Sequence, residues 1–400
     1  MPPRAGSPRA ELRALRRLWP VGGLLLIALY VGTVAYHAMP VQGDFRIYLD
    51  AARAAMAGLD PYRLEDLSRA AGRPIDIGFV YPPAVLPPFI ALSALPEATP
   101  FALWMALKLL CLVGLVMLWR RLVPRTVPVF ALALVAAFGF NATALWDLRM
   151  GNIALIESTL IWAGLACYVA GRLFWFAALV TAAAVFKLAP IALLVLLLVP
   201  GGNAKPRPRL FIAAVAAFIA IVWGPLLVPP ASRWHVLLGV LQGDAPTGEA
   251  NPSAFALMLA LARDFVPEPR AIAIALAGWI TLGALLVGGS ARFLRATWRS
   301  GNRTAIAMAA VSLFVILHPR PMAYGFIPLL PAPLYFAPRP LTGRAGALAL
   351  AGLLCVQGIS SALRSPASGT VLAHAPALLA ILLWALVVVR SEAGAGAPRP

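Results

Sequence analysis

Acidic side chains are concentrated in one short part of a largely apolar chain, beginning with the stretch GDFRIYLDAARAAMAGLDPY. Asp44 is distinctive within it, because it directly follows Gly43 only about five residues beyond the first apolar run, near the membrane surface. A partly buried carboxylate in such a place can act as a general base toward a hydroxyl group, since burial raises its basicity and a fixed backbone aims it. The acids of this region are Asp44, Asp50, Asp60, Glu65, Asp66, Asp76 and Glu97.

A structural interpretation of the same carboxylate is equally open at this point. Asp44 can cap a following helix by accepting its backbone N–H groups, a common role for aspartate. The pattern predicts an interfacial helix over residues 47–57, where Asp50 lies three or four positions from Arg46 and Arg53 and can pair with them. Most of the other acids are interpreted as groups that solvate or pair at the surface: Asp50, Glu65, Asp66 and Asp76.

The composition predicts a helical membrane protein that must position these residues. Of the 400 residues, 61% are hydrophobic and 12% charged, and the apolar residues form runs about 20 long instead of alternating. We predict an all-α bundle of about 12 transmembrane helices with interfacial or re-entrant helices, including a short one at Ser253–Ala262. The predicted organisation is a tail at residues 1–17, one membrane domain at 18–390 with a first outer loop at 40–100, and a tail at 391–400.

The charge distribution predicts the orientation of the chain. The net charge is +18, and Lys and Arg occupy the short gaps between apolar runs, as in cytoplasmic loops. Both termini are therefore expected in the cytoplasm, and residues 141–152 are predicted as a short outer loop. The membrane pattern also argues against a nucleic-acid partner. Cys111, Cys167 and Cys355 lie inside apolar runs and are interpreted as small core residues.

Ionisable residues elsewhere suggest further sites. Lys187 and Pro190 interrupt a long apolar stretch, so Lys187 is predicted at the tip of a broken hairpin, where it can bind an anion or snorkel to the interface. Lys108 and Glu157 lie at membrane depth and are predicted to pair, or to line a lipid groove. Three residues near another outer helix end are candidates for phosphate or sugar contact, the alternative being a capped helix with interfacial anchors: His318, Arg320 and Tyr324.

Several of these stretches resemble glycosyltransferase family 87, polyprenyl-phosphate-mannose-dependent mannosyltransferases of the GT-C fold. The first outer loop carries the pattern G-D-F-x-x-Y, then G-x-D-P-Y, then Y-P-P-A-x-L-x-P. Further similar stretches follow in order and cover most of the chain: LRMGNIALI, FKLAP, NPSAFALMLALAR and HPRPMAY. The family pattern often has Gln at the position of Asn152, which is a slight departure.

The resemblance implies a multi-spanning enzyme whose active site opens on the outer face, with Asp44 as general base. The implied donor is a sugar on a β-linked polyprenyl phosphate, transferred with inversion to a glycolipid or glycan. The sequence has no D-x-D, so no metal or soluble cofactor is expected, although a divalent ion near the phosphate stays an alternative. Candidate donor-phosphate residues are Lys187, His318, Arg320 and Tyr324, and candidate substrate-binding residues are Tyr48, Asp60, Tyr62, Tyr81, Asn152 and Asn251.

Two other classes of function remain open at this stage. A transporter or lipid flippase would use intramembrane charges as its path, and a structural partner in an envelope-building complex would use the first outer loop for docking. The predicted location is a bacterial plasma membrane in each case. Residues of the later outer loop that could touch an acceptor sugar, besides Asn251, are Trp234, His235, Asp244 and Glu249.

Overall fold

The computed structural model describes residues 8–96, 98–199, 201–202, 204–227, 251–336, 371 and 373–395. Every regular element within these ranges is helical, in agreement with the predicted all-α membrane class. Four helical segments are long and apolar enough to cross a membrane: Pro20–Ala38, Ala98–Leu122, Val129–Met150 and Glu268–Gly289. Shorter apolar helices accompany them, and the count of about 12 crossings stays a prediction.

Where the described ranges are continuous, successive helices are joined by connections of about a dozen residues or fewer. The α-helices are α1 Pro8–Ala38, α2 Gly43–Met56, α3 Leu64–Ala71, α4 Leu86–Ser93, α5 Ala98–Leu122, α6 Val129–Met150, α7 Ala154–Val169, α8 Leu173–Phe186, α9 Pro208–Trp223, α10 Ala254–Arg263, α11 Glu268–Gly289, α12 Ala291–Arg299, α13 Arg303–Ile316, α14 Ala332–Phe336 and α15 Ala375–Ala395. The 3₁₀ helices are Pro83–Val85, Ala189–Leu197, Gly224–Leu227 and Ala323–Leu329.

Residues 40–96 of the predicted first outer loop fold as a small unit of their own beside α5. Its helices α2, α3 and α4 enclose an aromatic cluster that continues onto the membrane helix through Trp104. The ring of Phe45 stacks on that of Trp104 with centroids 4.8 Å apart. Because these rings remove a large apolar area from water, they fix the start of α2 against the bundle. The helix predicted over residues 47–57 is thus confirmed, and it begins four residues earlier than expected, at Gly43 rather than Ile47. Its position at the membrane interface stays a prediction.

Asp50 proves to be a buried brace of this unit rather than a surface group. Its side chain is only 2% exposed, and its two oxygens accept hydrogen bonds from Arg53 at 3.1 Å and Arg73 at 2.7 Å. The predicted pairing with Arg53 is confirmed, whereas Arg46 donates to the Pro40 carbonyl oxygen instead. A buried carboxylate needs such partners, because an unpaired buried charge costs far more than a surface one.

Helix α6 is broken in its middle and braced there by a later segment. Residues Gly139–Ala142 leave helical geometry, and φ is positive at Phe140, Asn141 and Ala142. Directly after the break, the Thr143 hydroxyl donates a 2.7 Å hydrogen bond to the carbonyl oxygen of Ala323. This hydrogen bond connects α6 to the start of the 3₁₀ helix at Ala323–Leu329, which carries Tyr324.

Three predictions about local structure can be compared with these elements. The predicted outer loop at 141–152 is wrong, because α6 resumes after its break and continues to Met150. The predicted interruption at Lys187 is confirmed: α8 ends at Phe186, and Pro190, which lacks a backbone N–H, lies at the start of a 3₁₀ helix. The short helix predicted at Ser253–Ala262 is confirmed as α10, capped by the Ser253 hydroxyl.

Some predictions concern residues beyond the described ranges. These are residues 1–7 of the predicted tail at 1–17, residues 396–400 of the predicted tail at 391–400, and the individual residues Glu97, Cys355, Trp234, His235, Asp244 and Glu249. The domain boundaries likewise stay predictions.

Candidate active site

Asp44 lies in the first turn of α2, where its carboxylate faces other elements of the bundle. The helix begins at Gly43 and its N-cap is Gln42, so the interpretation of Asp44 as the cap is wrong. Its Oδ2 atom accepts a 2.6 Å hydrogen bond from Asn152 Nδ2 and a 3.5 Å hydrogen bond from the Tyr324 hydroxyl. The carboxylate is thus aimed by two distant parts of the chain.

The turn between α6 and α7 brings Asn152 to this carboxylate. Gly151 ends α6 with φ of +71°, and a Cβ at this position would lie 2.8 Å from the Cβ atoms of Gln42 and Phe45. Only glycine combines that backbone conformation with so close an approach to α2. The Gly151 carbonyl oxygen also accepts a 2.8 Å hydrogen bond from Trp104 Nε1. These contacts seat the turn against the beginning of α2.

Two buried tyrosine hydroxyls complete the surroundings of Asn152. Its Nδ2 atom lies 3.2 Å from the Tyr48 hydroxyl and 3.3 Å from the Tyr81 hydroxyl, and the two hydroxyls are 2.8 Å apart. Burial raises the pKa of both Tyr48 and Tyr81 above their ordinary value, so both stay neutral donors or acceptors. The Tyr62 hydroxyl supports this arrangement by donating to the Tyr81 carbonyl oxygen at 2.9 Å.

A lysine ammonium approaches the same centre from the end of α8. Lys187 Nζ lies 4.6 Å from the centroid of the Tyr324 ring and 3.3 Å from Glu157 Oε2. Tyr324 therefore contacts the cation through its ring and Asp44 through its hydroxyl. A cation beside an aromatic face, near a partly buried carboxylate, is suited to hold an anionic group of a ligand.

The predicted ion pair between Lys108 and Glu157 is wrong. Lys108 instead pairs with Asp147 at 2.8 Å, and both side chains are completely buried, while Glu157 pairs with Lys187. The prediction failed because depth along each helix does not tell which helix faces which. The four residues belong to α5, α6, α7 and the end of α8, and the two lysines are close enough for their charges to act on Asp44.

The protonation of Asp44 is set by opposing influences. Burial raises the pKa of its carboxyl above the ordinary value, and this is the largest effect. The pKa of Asp44 is lowered by the hydrogen bond from Asn152, by the charges of Lys187 and Lys108, and by the Tyr324 hydroxyl. A carboxylate with a raised pKa is a better proton acceptor than an exposed one, provided that it is ionised at the working pH.

Comparison with protein families connects this geometry to a reaction. The sequence model of glycosyltransferase family 87 matches residues 79–319, which is more than half of the 400-residue chain. The chain belongs to glycosyltransferase family 87. The matched range contains Tyr81, Asn152 and Lys187, whereas Asp44 lies before its start. Searches of curated proteins and of solved structures returned no match for this chain.

Family membership bears on the alternative functions that the sequence left open, a transporter or flippase and a structural partner. The protein is a membrane glycosyltransferase, with a sugar donor and an acceptor as its substrates. Among the described residues, four charged side chains in or beside apolar helices form two pairs, Lys108 with Asp147 and Lys187 with Glu157. Family membership thus favours the transferase over the flippase and over a purely structural partner.

His318 lies between α13 and the 3₁₀ helix that carries Tyr324. Unlike a lysine or arginine that binds phosphate, it carries no positive charge near pH 7. Burial, assisted by the nearby positive charge of Lys187, lowers the pKa of His318 to about 4, so the imidazole is neutral near pH 7. Its Nδ1 accepts a 2.9 Å hydrogen bond from the Arg320 backbone N–H. The proton of the neutral ring is therefore assigned to Nε2, which leaves His318 a hydrogen-bond donor.

The remaining predicted residues of the glycosyltransferase have different settings. Asp60 forms a turn, since its Oδ1 accepts the Tyr62 backbone N–H at 3.0 Å. Asn251 is completely buried, and its side-chain amide finds no hydrogen-bond partner among the described residues. Ser253, two positions later, donates to the Pro319 carbonyl oxygen at 2.7 Å, which ties this segment to the His318 loop. Roles for Asp60 and Asn251 in substrate binding stay predictions.

Asp147 and Gln42 are features of the site that the sequence did not reveal. Asp147 was assigned to an outer loop, although an acid inside an apolar helix is a functional candidate by default and would have been the available signal. Gln42 is completely buried beside Gly151, and nothing in its local sequence indicates this. Among the described residues no three His, Cys, Asp or Glu side chains converge as a metal site, and cofactor-free chemistry stays a prediction.

Proposed function

We propose that this glycosyltransferase moves a mannose residue from a polyprenyl phosphate to a glycolipid or glycan acceptor, with inversion at the anomeric carbon and Asp44 as general base. One observation carries the proposal: a partly buried carboxylate and a lysine ammonium contact the same tyrosine. Asp44 Oδ2 lies 3.5 Å from the Tyr324 hydroxyl, and Lys187 Nζ lies 4.6 Å from the centre of its ring. Asp44, as the base, and Lys187, as the group that binds the phosphate, would thus lie on either side of Tyr324.

Asp44 would perform the proton-transfer step. The acceptor hydroxyl loses its proton to the carboxylate as its oxygen attacks the anomeric carbon, on the face opposite the departing phosphate. The raised pKa of Asp44 supports this role, because a stronger base takes the proton more readily. Asn152 would hold the carboxylate in place, and the hydroxyls of Tyr48 and Tyr81 are available to the sugar or to Asn152.

Lys187 would stabilise the leaving group. When the bond from the anomeric carbon to the phosphate oxygen breaks, the electron pair stays on the phosphate, which gains negative charge. A positioned ammonium offsets that charge. Glu157 pairs with Lys187, and neutral His318 would add a hydrogen bond through Nε2. Arg320 stays a further candidate for phosphate contact.

The location is part of the proposal. We propose a GT-C-type bundle of about 12 crossings in a bacterial plasma membrane, with both termini in the cytoplasm and the Asp44 centre at the outer face. The distribution of Lys and Arg supports this orientation, because cytoplasmic loops carry the excess of both. A lipid-linked donor suits the arrangement, since its phosphate would lie at the headgroup plane near Lys187.

Sugar transfer by the purified protein in lipid nanodiscs tests the proposal. The wild-type protein and Asp44→Asn are supplied with radiolabelled polyprenyl-phosphate mannose and an extract of membrane acceptors. A second reaction replaces the donor with a nucleotide sugar. Asp76→Asn is the matched control, since Asp76 is an exposed carboxylate of the same outer region. We expect Asp44→Asn to lose at least about 100-fold in kcat/KM, the usual contribution of a general base, and Asp76→Asn to keep wild-type activity.

The outcomes separate the parts of the proposal. Wild-type transfer by Asp44→Asn would show that Asp44 is not the base. Transfer from the nucleotide sugar alone would show that the donor class is wrong. Movement of the lipid-linked sugar across the bilayer without formation of a glycoside would support the flippase alternative instead.

A further inference from the structure

We propose that Asp147, paired with Lys108, is a positioning residue that holds the turn at residues 151–153 so that Asn152 donates its hydrogen bond to Asp44. Asp147 touches neither Asp44 nor the space beside it, and it acts through the turn. The inference rests on the proposed function, in which Asp44 is the general base.

Asp147 is bonded to both sides of that turn. On the α7 side, its Oδ1 atom accepts the Ala154 backbone N–H at 3.1 Å, at the first residue of the helix. On the α6 side, its carbonyl oxygen accepts the Gly151 backbone N–H at 2.9 Å. Only Gly151, Asn152 and Ile153 lie between these two contacts. A carboxylate that caps the N-terminus of α7 therefore limits how far Asn152 can move relative to α6.

Lys108 completes the arrangement from α5. Its Nζ lies 2.8 Å from Asp147 Oδ2 and also donates to the Asp147 carbonyl oxygen, and both side chains are 0% exposed. One carboxylate oxygen of Asp147, Oδ2, thus pairs with Lys108, and the other, Oδ1, accepts the Ala154 N–H. An apolar pair could fill the same volume, often without loss of stability, so stability alone does not account for a buried ion pair here. The specific need is an acceptor at Asp147 that points at the start of α7.

Asn152 is the only residue of the turn whose side chain reaches Asp44. Its Oδ1 accepts the same Ala154 N–H at 3.2 Å while its Nδ2 donates to Asp44. Without the Asp147 carboxylate, the Ala154 N–H would have only Asn152 Oδ1 as an acceptor. The first turn of α7 would then be held less firmly against α6. Loss of the Asn152 bond would raise the pKa of Asp44, since that bond lowers it. The charged or titratable groups that face Asp44 are Lys187, Lys108, Tyr324, Tyr48 and Tyr81.

Two double variants isolate the acceptor from the charges. Lys108→Met/Asp147→Asn and Lys108→Met/Asp147→Leu remove the same two charges and leave no unpaired buried ion, so both are expected to fold. They differ at position 147, where Asn keeps an oxygen for Ala154 N–H and Leu has none. We measure kcat/KM for transfer in nanodiscs as a function of pH, with Asn152→Ala as the reference for a lost Asp44 hydrogen bond.

The Leu variant is expected to behave like Asn152→Ala. Its kcat/KM should fall about tenfold or more relative to the Asn variant, and the acidic limb of its pH profile should move to higher pH. Adding Asn152→Ala to the Leu variant should change neither quantity further, because Asp147 acts through Asn152. In the Asn variant the acidic limb should stay closer to that of the wild type.

Other results would overturn the inference. An unshifted acidic limb in the Leu variant, with only less active protein, would make the pair purely structural. Equal limb shifts in the two double variants would point to charge alone, and a further tenfold loss on adding Asn152→Ala would make Asp147 and Asn152 independent. If Asp44→Asn is inactive and any of these holds, only the positioning role is wrong. If Asp44→Asn transfers at wild-type rate, the proposed function itself is wrong.

Discussion

Asn152 donates a 2.6 Å hydrogen bond to the Oδ2 atom of Asp44, although 108 positions of sequence separate the two residues. The bond joins the first turn of α2 to the turn between α6 and α7, and it lowers the pKa of a carboxyl that burial raises. The position of one base therefore depends on the packing of three helices.

The pH dependence of transfer follows from this balance. The proposed general base, Asp44, must be ionised to accept a proton. Because its pKa is raised, kcat/KM should fall on acidification at a higher pH than an ordinary aspartate near 3.9 would give. Asn152→Ala should move this acidic limb of the pH profile to still higher pH, and Asp76→Asn should leave it unchanged. A limb at or below the ordinary aspartate value would contradict the assignment of Asp44.

Asp44→Asn should be more stable than the wild type at neutral pH. A carboxyl whose pKa is higher in the folded than in the unfolded state contributes stability below its unfolded pKa and loses it as pH rises through the folded pKa. At pH 7 the buried charge is therefore unfavourable, and an amide removes it. Thermal unfolding in nanodiscs should show a higher Tm for Asp44→Asn at pH 7, with a smaller difference near pH 4. An equal or lower Tm at pH 7 would contradict the prediction.

Removal of the Lys187 charge should weaken donor binding. Lys187→Met is combined with Glu157→Gln so that no unpaired carboxylate is left at the pair. KM for the lipid-linked donor should rise about 10- to 100-fold, because a charge-assisted contact to phosphate is lost. Steady-state kinetics over a range of donor concentrations measure it. Lys205→Met serves as the control at an exposed lysine, and an unchanged donor KM in the double variant would remove Lys187 from the phosphate site.

Gly151→Ala should be much more harmful than Gly58→Ala. The two glycines share a similar conformation, with φ of +71° and +70°, but a Cβ meets Gln42 and Phe45 at 2.8 Å only at Gly151, and nothing within 4 Å at Gly58. Gly58→Ala should cost about 1–2 kcal/mol of stability from backbone strain alone. Gly151→Ala should cost more and also lower kcat/KM, since the clash displaces Asn152. Thermal unfolding and transfer assays measure both effects, and equal costs would argue against the close approach.

The orientation can be tested by labelling single cysteines from one side. After replacement of the native Cys111, Cys167 and Cys355, cysteine is introduced at Asp76 or at Lys205, both exposed positions. A membrane-impermeant maleimide should label the Asp76→Cys protein in intact cells. The Lys205→Cys protein should react only after permeabilisation, because its basic loop is predicted to lie on the cytoplasmic side. The opposite pattern would invert the topology and place the Asp44 centre in the cytoplasm.

Local features of the fold were predictable because they depend on neighbouring residues. The helix α2 follows from its apolar spacing, the interruption at Lys187 from Pro190, and the capped helix α10 from Ser253. The break inside α6 was not predictable, since positive φ at Phe140, Asn141 and Ala142 is held by distant contacts such as Thr143 with Ala323. The predicted loop at 141–152 failed because α6 resumes after the break and continues to Met150.

The sequence by itself determined the membrane class, the family resemblance and the choice of Asp44 and Lys187 as candidates, because composition, residue type and spacing along the chain are enough for these inferences. Tertiary structure alone decided the partners. Lys108 pairs with Asp147 and Lys187 with Glu157, and Asp44 receives Asn152 instead of capping its own helix. Side-chain pairing between helices depends on which faces meet, and these contacts are set by the packing of the whole bundle.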